Sequence, residues 1–322
     1  MRLLQRSFLI SGILGMIIIQ FSCGGSSAGK QDEMEGTISI SGAFALYPMT
    51  VRWAEEFNKV YPDIRIDISA GGAGKGMADA LSGMVDLGMF SREVTEVEID
   101  KGAWHIAVAK DAVLPTISDK NPCLKQIKGL GLNRATFRDI FVNGRLHNWG
   151  LLADQCESGA DIHLFTRSDA CGAAQMWAQY LGGDQEDLLG IGVYGDPGMA
   201  DAIKNDPLAL GFNNVVYVYD INSRLPYPGL AVVPIDLNDD GLITEDENYY
   251  GHLDTLMNAI RNEQYPSPPA RELYFVAKGN PQRKVVLTFL EWILTEGQTF
   301  LNEAGYVGLP EEKVKEELQR IR

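Results

Sequence analysis

The sequence predicts an α/β fold organised around a parallel sheet, and three observations carry that prediction. Residues 36–91 alternate short apolar strands with amphipathic helical patterns. An extended run at 104–118 then leads the chain out of that layer. A second series of strands and helices follows from about residue 120. Strand, helix, strand, helix, strand in sequence order is what a parallel layer requires, because each crossover needs a helix.

The elements follow in order. "GTISISGAF" alternates apolar and small residues and reads as a strand ending at a glycine turn. "LYPMTVRWAEEFNKVYP" places Leu46, Met49, Val51, Trp53, Phe57 and Val60 on a helical face, and Pro62 stops it. "IRIDISA" is a second strand, "GGAGKG" leads into a short helix over "MADALSGMV", and "DLGMFS" is a short buried strand. After the extended run "WHIAVAKDAVLPTIS", "TFRDIFVNGRLHNWG" reads as helix and turn, "DIHLFTRS" as strand and "AAQMWAQYL" as helix. "MADAIKNDP" is helical. "LALGFNNVVYVYD" reads as a strand, a turn and a further extended piece. "RELYFVAKG" is a buried strand, and "KVVLTFLEWILTEGQTFLNEAGY" one long amphipathic helix with Gly305 near its end.

Twenty-eight Lys and Arg against 43 Asp and Glu give a formal charge of −15, which argues against non-specific nucleic-acid binding. Arg2 and Arg6 precede the apolar stretch "FLISGILGMIII", which closes in "QFSC" at Cys23. That arrangement resembles a lipoprotein signal over 1–23 with Cys23 as the lipid-bearing residue; a plain signal peptide or a signal anchor is the alternative. Residues 24–36 read as a flexible polar tether. The expected location is therefore the periplasmic or cell-surface side of a membrane, held there by the lipid. Of the remaining cysteines, Cys123 and Cys156 lie in loop-like sequence and are the favoured disulfide pair, leaving Cys171.

Three segments share one design, a strand ending in small residues with a helix directly after: Ser41–Phe44, Gly71–Gly76 and Arg167–Ala173. Helix starts leave backbone N–H groups unpaired, and small residues let an anion approach them. Singly, such turns also serve plain helix–strand packing, Arg167 would serve a surface ion pair, and Asp169 reads as the N-cap of its helix. Cys171 near a helix start has the setting of a nucleophile, but no arginine follows it to close a phosphatase-like cradle; a neutral side chain lining the pocket is the preferred reading.

"DLNDDGLITEDE" carries a different signal. Asp236, Asn238 and Asp240 take places one, three and five, Gly241 six, and Glu247 twelve. Leu242 offers its carbonyl and Thr244 the ninth position. This is a complete EF-hand-type loop for calcium as a structural ion, without the usual incoming helix.

Through "ISGAFALYPMTVRWAEEF", "VDLGMFSREV", "TFRDIFVNGRLHNWG", "TRSDACGAAQMW" and "FLEWILTEGQTFLNEAGYVGLP" the chain resembles the substrate-binding proteins of ABC importers, most of all the phosphate-binding, PstS-like family. The resemblance implies a periplasmic-binding-protein-like fold: two α/β lobes with mixed, mostly parallel sheets joined by a two-strand hinge. Lobe 1 would be 37–112 with 270–322, and lobe 2 residues 113–269, including the loop 236–247. The hinge would lie near Val108–Ser118 and Pro266–Leu273. It implies a non-enzymatic monomer that captures phosphate or a similar oxyanion for a membrane permease. Two readings compete with it: an extracytoplasmic phosphate-ester hydrolase using Cys171, or calcium with a carboxylate, and a sensory or adhesive lipoprotein that keeps the fold and has lost the ligand. The implied ligand contacts are Ala43, Phe44, Gly72, Ala73, Gly74, Lys75, Ser91, Arg167, Asp169, Cys171, Gly172 and Ala173. Cys171 and Ala173 stand where the family has Ser and Thr, and Ser91 is followed by Arg92 where some members have Asp. Those departures bring molybdate, tungstate and sulfate into consideration.

Overall fold

The hinge is where the architecture is decided. In the computed structural model, which describes residues 34–152, 156 and 159–321, the strand β4 (Ala103–Ser118) is long enough to serve two partners in succession. Its first part pairs antiparallel with β9 (Ala270–Lys278), from Ala103 opposite Lys278 to Ala112 opposite Ala270. The register slips between Ala107 and Ala109. Its last part, from Val113, pairs antiparallel with β7 (Ala209–Asn214), and its end also with β8 (Leu230–Val232). The expected signal peptide, its Cys23 and most of the expected tether lie outside the described residues.

On the β9 side stand β1 (Gly36–Gly42), β2 (Ile64–Ala70) and β3 (Leu87–Phe90), with β1 parallel to both neighbours and β3 antiparallel to β9. On the β7 side stand β5 (His163–Arg167) and β6 (Ile191–Val193), both joined in parallel. The strand order is β2-β1-β3-β9-β4-β7-β5-β6. Four pairings are parallel and four antiparallel, so the expected predominance of parallel pairing is corrected to an even mixture. The reason is that both long strands of the hinge enter against their neighbours, and all four antiparallel ladders involve β4 or β9.

The helices pack by pattern. In α1 (Tyr47–Val60), Met49, Trp53 and Phe57 recur at four-residue spacing and are buried, while Pro48 suits the first turn, where its missing N–H is no loss. α2 (Ala73–Ser82) and α3 (Glu96–Asp100) complete the first series, α3 behind a reciprocal cap between Thr95 and Glu98. α4 (Leu124–Leu130), α5 (Arg134–Phe141) and α6 (Gly172–Leu181) belong to the second, as do α7 (Gly195–Asn205), α8 (Val215–Val218) and α9 (Leu253–Arg261). α10 (Lys284–Leu294) and α11 (Glu311–Ile321) return to the first. One apolar core draws on residues 38–109 and 273–321, another on 112–270 with Val307. Cys123 and Cys156 are joined by a disulfide.

Two elements differ from expectation. Val215–Val218 is a helical turn instead of an extended piece, because Val215 and Val218 both gain burial that way. The long closing helix ends at Leu294 and continues as a 3-10 turn at Glu296–Phe300. The break seats Gly297 against Trp53, whose indole N–H donates to the Gly297 carbonyl at 2.8 Å.

Candidate functional site

The three small-residue turns lie at the carboxyl ends of β1, β2 and β5, and the fold brings them together. The Gly74 N–H donates to the Ala170 carbonyl at 3.0 Å, a direct link between turns belonging to the two cores. Gly72 has φ +87°, and a Cβ there would lie 2.8 Å from an Asp169 carboxylate oxygen. Gly172 sits so close to the end of β3 that a Cβ would come within 2.1 Å of the Ser91 carbonyl oxygen. Only glycine allows that approach.

Arg167, at the end of β5, is 5% exposed. Its Nε–H and one Nη2–H donate to the two oxygens of Asp169 at 2.8 and 2.7 Å, and Nη1 donates to Asp196 at 2.7 Å. Burial works against the guanidinium charge, and the carboxylates of Asp196 and Asp169 outweigh it, so the Arg167 pKa is raised. Asp169 also accepts the Gly195 N–H at 3.2 Å. Asp196 accepts from the Asn214 amide at 2.5 Å, and Asn214 in turn accepts from Arg271. The Phe44 ring stands 5.8 Å from the guanidinium carbon and edge-on to Tyr194, while the Phe44 carbonyl accepts from the Tyr217 hydroxyl at 3.0 Å.

Asp169 is therefore not the N-cap of α6. Cys171 is, with its Sγ accepting the Ala174 N–H at 3.4 Å, because Asp169 is drawn onto Arg167. Burial pushes the Cys171 thiol up to about 12 although Arg167 opposes it, so the side chain is a neutral wall. Gln185 fastens the turn, accepting from Cys171 N–H at 3.1 Å and donating to the Asp169 carbonyl at 2.8 Å. Lys75 turns onto Asp79, which also accepts the Ser41 hydroxyl at 2.7 Å.

Apart from the two Arg167 N–H bonds that no carboxylate engages, what the turns offer a ligand is backbone. Ala73, Gly172 and Ala173 open helices α2 and α6, so their N–H groups have no acceptor within those helices. Two ten-residue helices thus start at the same place, which favours negative charge there. Two cavities of about 960 and 660 Å³ draw on both cores, and neither is lined by a residue of the three turns.

Sequence reasoning did not single out Asp111, Asp196, Asn214, Tyr217 or Arg271. Asp111 and Arg271 carried a readable signal, each being an ionisable residue inside an apolar strand. Asp196, in "YGDPG", follows a short strand much as the other turns do.

In the calcium-type loop, the Asp236 Oδ2 accepts the Gly241 N–H at 3.0 Å. Glu247 accepts from Leu237 N–H at 2.8 Å and from Thr244 N–H at 3.2 Å. No group of three His, Cys, Asp or Glu side chains forms a metal ligand set among the described residues.

A family model described as the PBP superfamily domain matches residues 27–296. The phosphate-binding protein PstS of Methanocaldococcus jannaschii is 26% identical, the alignment covering 91% of this chain and 88% of that protein. Its namesake from Staphylococcus epidermidis is 22% identical over 96% of this chain and 91% of its own length. In structure, the chain is similar to a Clostridium perfringens substrate-binding protein assigned to phosphate ABC transport and solved with phosphate. That match has a TM-score of 0.69 and 22% identity, covering 85% of this chain and 100% of the other. An ABC-type phosphate transport receptor from Vibrio cholerae gives a TM-score of 0.60 at 18% identity, over 85% of this chain and 100% of that one.

Proposed function

The chain belongs to the PBP superfamily, and on that premise we propose that it is an extracytoplasmic substrate-binding protein that captures a tetrahedral oxyanion, phosphate first, for an ABC importer. The observation that carries the reading is the convergence of three βα turns from both cores around one buried arginine. In a two-lobed binding protein such turns meet only when the lobes close, so capture and closure are one event. A permease in the membrane then recognises the closed form. The relatives named above, called phosphate-binding proteins, support the choice of phosphate.

The donors are neutral except for Arg167. Three of its five N–H bonds are engaged by carboxylates, which fixes the plane of the guanidinium and leaves two for a ligand. Asp169 stands at the Gly72 turn as an acceptor. Phosphate near neutral pH keeps a proton that such an acceptor can receive, and sulfate does not. This gives the site a basis for discrimination without a carboxylate after β3.

Capture without turnover is supported by the buried, neutral Cys171, which withholds the nucleophile a hydrolase of phosphate esters would need. No described helix is long and apolar enough to cross a membrane. Attachment through a lipid on Cys23 is supported by the sequence pattern alone.

A second reading is favoured by one observation: Ala43, Phe44, Ala73, Cys171 and Ala173 bring no hydroxyl to the turns. A site of backbone donors suits molybdate, tungstate or sulfate as well. Calorimetric titration of phosphate-stripped protein decides. One-to-one phosphate binding with at least about a hundredfold preference over sulfate, roughly 2.7 kcal/mol, is expected. Binding of another oxyanion without phosphate would select the second reading, and no heat with any would sink both.

A further inference from the structure

We propose that Asp236–Glu247 binds a calcium ion, at a site separate from the oxyanion turns and built to hold the second core together. The spacing of oxygen-bearing residues is one observation. A second is independent of it: Asp236 is 5% exposed, and its Oδ1 is buried with no hydrogen-bond partner among the described residues. The other oxygen of the same carboxylate accepts the Gly241 N–H across the loop at 3.0 Å, so the carboxylate that carries the orphaned oxygen is fixed to the loop's own backbone. A buried carboxylate oxygen without a donor is costly unless a cation or a water meets it.

The chemistry of the set is that of a hard cation. Asp236, Asp240 and Glu247 bring three carboxylates, Asn238 an amide oxygen, Leu242 a carbonyl and Thr244 a hydroxyl. Among the described residues no Lys or Arg forms an ion pair with Asp236, Asp240 or Glu247, so their charge is unbalanced by protein. No thiol or imidazole belongs to the loop, which excludes the ligands zinc prefers. Glu247 is buried at the twelfth place, where one of its oxygens accepts the Leu237 N–H and the other the Thr244 N–H and hydroxyl, and calcium binding requires it to exchange these donors for the ion as Asp240 closes in.

The loop is anchored where an ion would matter. The Ile243 N–H donates to Gly129 at the end of α4 at 2.9 Å, and Asp236 N–H donates to Leu132 at 3.2 Å. Cys123, bonded to Cys156, sits at the other end of the same helix. Calcium would therefore fasten one end of α4 while the disulfide fastens the other.

The test uses chelator-stripped protein, titrated with calcium by calorimetry and with terbium by tyrosine-sensitised luminescence, since Tyr249 and Tyr250 adjoin the loop. One calcium per chain is expected, with Kd on the order of 10⁻⁴–10⁻³ M or tighter, as in extracellular calcium modules. Glu247→Gln should weaken it by about tenfold or more, and Asp236→Asn likewise, with magnesium failing to compete at equal concentration. Phosphate titration of the same samples reports on the oxyanion site independently. No binding to the wild-type protein at about 10 mM calcium, well above that range, would overturn the proposal. So would binding that survives both substitutions, or thermal unfolding of the wild type that calcium leaves unmoved.

Discussion

Two arginines are buried near the hinge, and their surroundings differ sharply. Arg167 holds two carboxylates through three hydrogen bonds of 2.7–2.8 Å, and each carboxylate has a further partner. Arg271, on β9, faces Asp111, on β4, at 3.6 Å. Neither oxygen of Asp111 nor the Nε and Nη1 of Arg271 has a well-formed hydrogen bond among the described residues, although the backbone N–H groups of Ala112 and Val215 favour the Asp111 carboxylate from nearby. The first cluster is satisfied and fixes the guanidinium that the proposed oxyanion site uses. The second is an ion pair held apart between the two strands that cross from one core to the other. Burial charges a penalty to both, and only the first offsets it with geometry.

The largest effect should come from breaking the satisfied cluster. Arg167→Ala leaves Asp169 and Asp196 facing each other without a cation, and should destabilise the protein by about 3–5 kcal/mol. Arg271→Ala should cost less, because the stranded Asp111 can take a proton while Asn214 keeps its bond to Asp196. Denaturant unfolding at pH 7 measures both. Equal losses would mean that the two pairs do not differ in the way their hydrogen bonding indicates.

The next effect is one of pH. Burial raises the Asp111 pKa to about 6 although Arg271 opposes it. The folded-state value lies above the unfolded one, so this group's stabilising contribution is complete below about pH 4 and is lost as pH rises through about 6. A rise of that size corresponds to about 3 kcal/mol. Other carboxylates, Asp86 and Glu98 among them, are held below their usual range and push stability the opposite way. The expected result is therefore a difference: between pH 7 and pH 4 the wild type gains stability relative to Asp111→Asn. Parallel pH profiles for the two proteins would show that Asp111 is not the group that titrates.

The contrast also explains what could be read from the chain. The order of strands and helices from Gly36 to Phe90 was legible because each element carries its own period, two or about three and a half residues. The turns at Gly71–Lys75 and Arg167–Ala173 were legible for a similar local reason. Their partners were not. Asp196 lies 29 positions from Arg167, and Asn214 lies 57 from Arg271, so no periodicity links them. Asp169 was misread as a cap because the local rule for helix starts ignores a neighbouring arginine that binds the carboxylate more strongly. Val215–Val218 was misread because burial of two valines outweighs their preference for extended backbone.

Lys75 gives the smallest effect and the sharpest check on the boundary of the site. As a cation at the third position of α2 it could reach an anion bound at that helix start, and the family resemblance places it there. The structure instead turns its ammonium onto Asp79, one helical turn on, at an exposed position. Asp79 keeps the Ser41 hydroxyl when Lys75 is removed. An exposed pair of this kind contributes about 0.3–0.5 kcal/mol, so Lys75→Ala should barely move the unfolding midpoint and should change phosphate affinity by about twofold at most. A loss of about tenfold or more, equivalent to 1.4 kcal/mol, would show that Lys75 leaves Asp79 for the ligand. The site would then hold two cations instead of one, and its selectivity would rest on charge as much as on backbone donors.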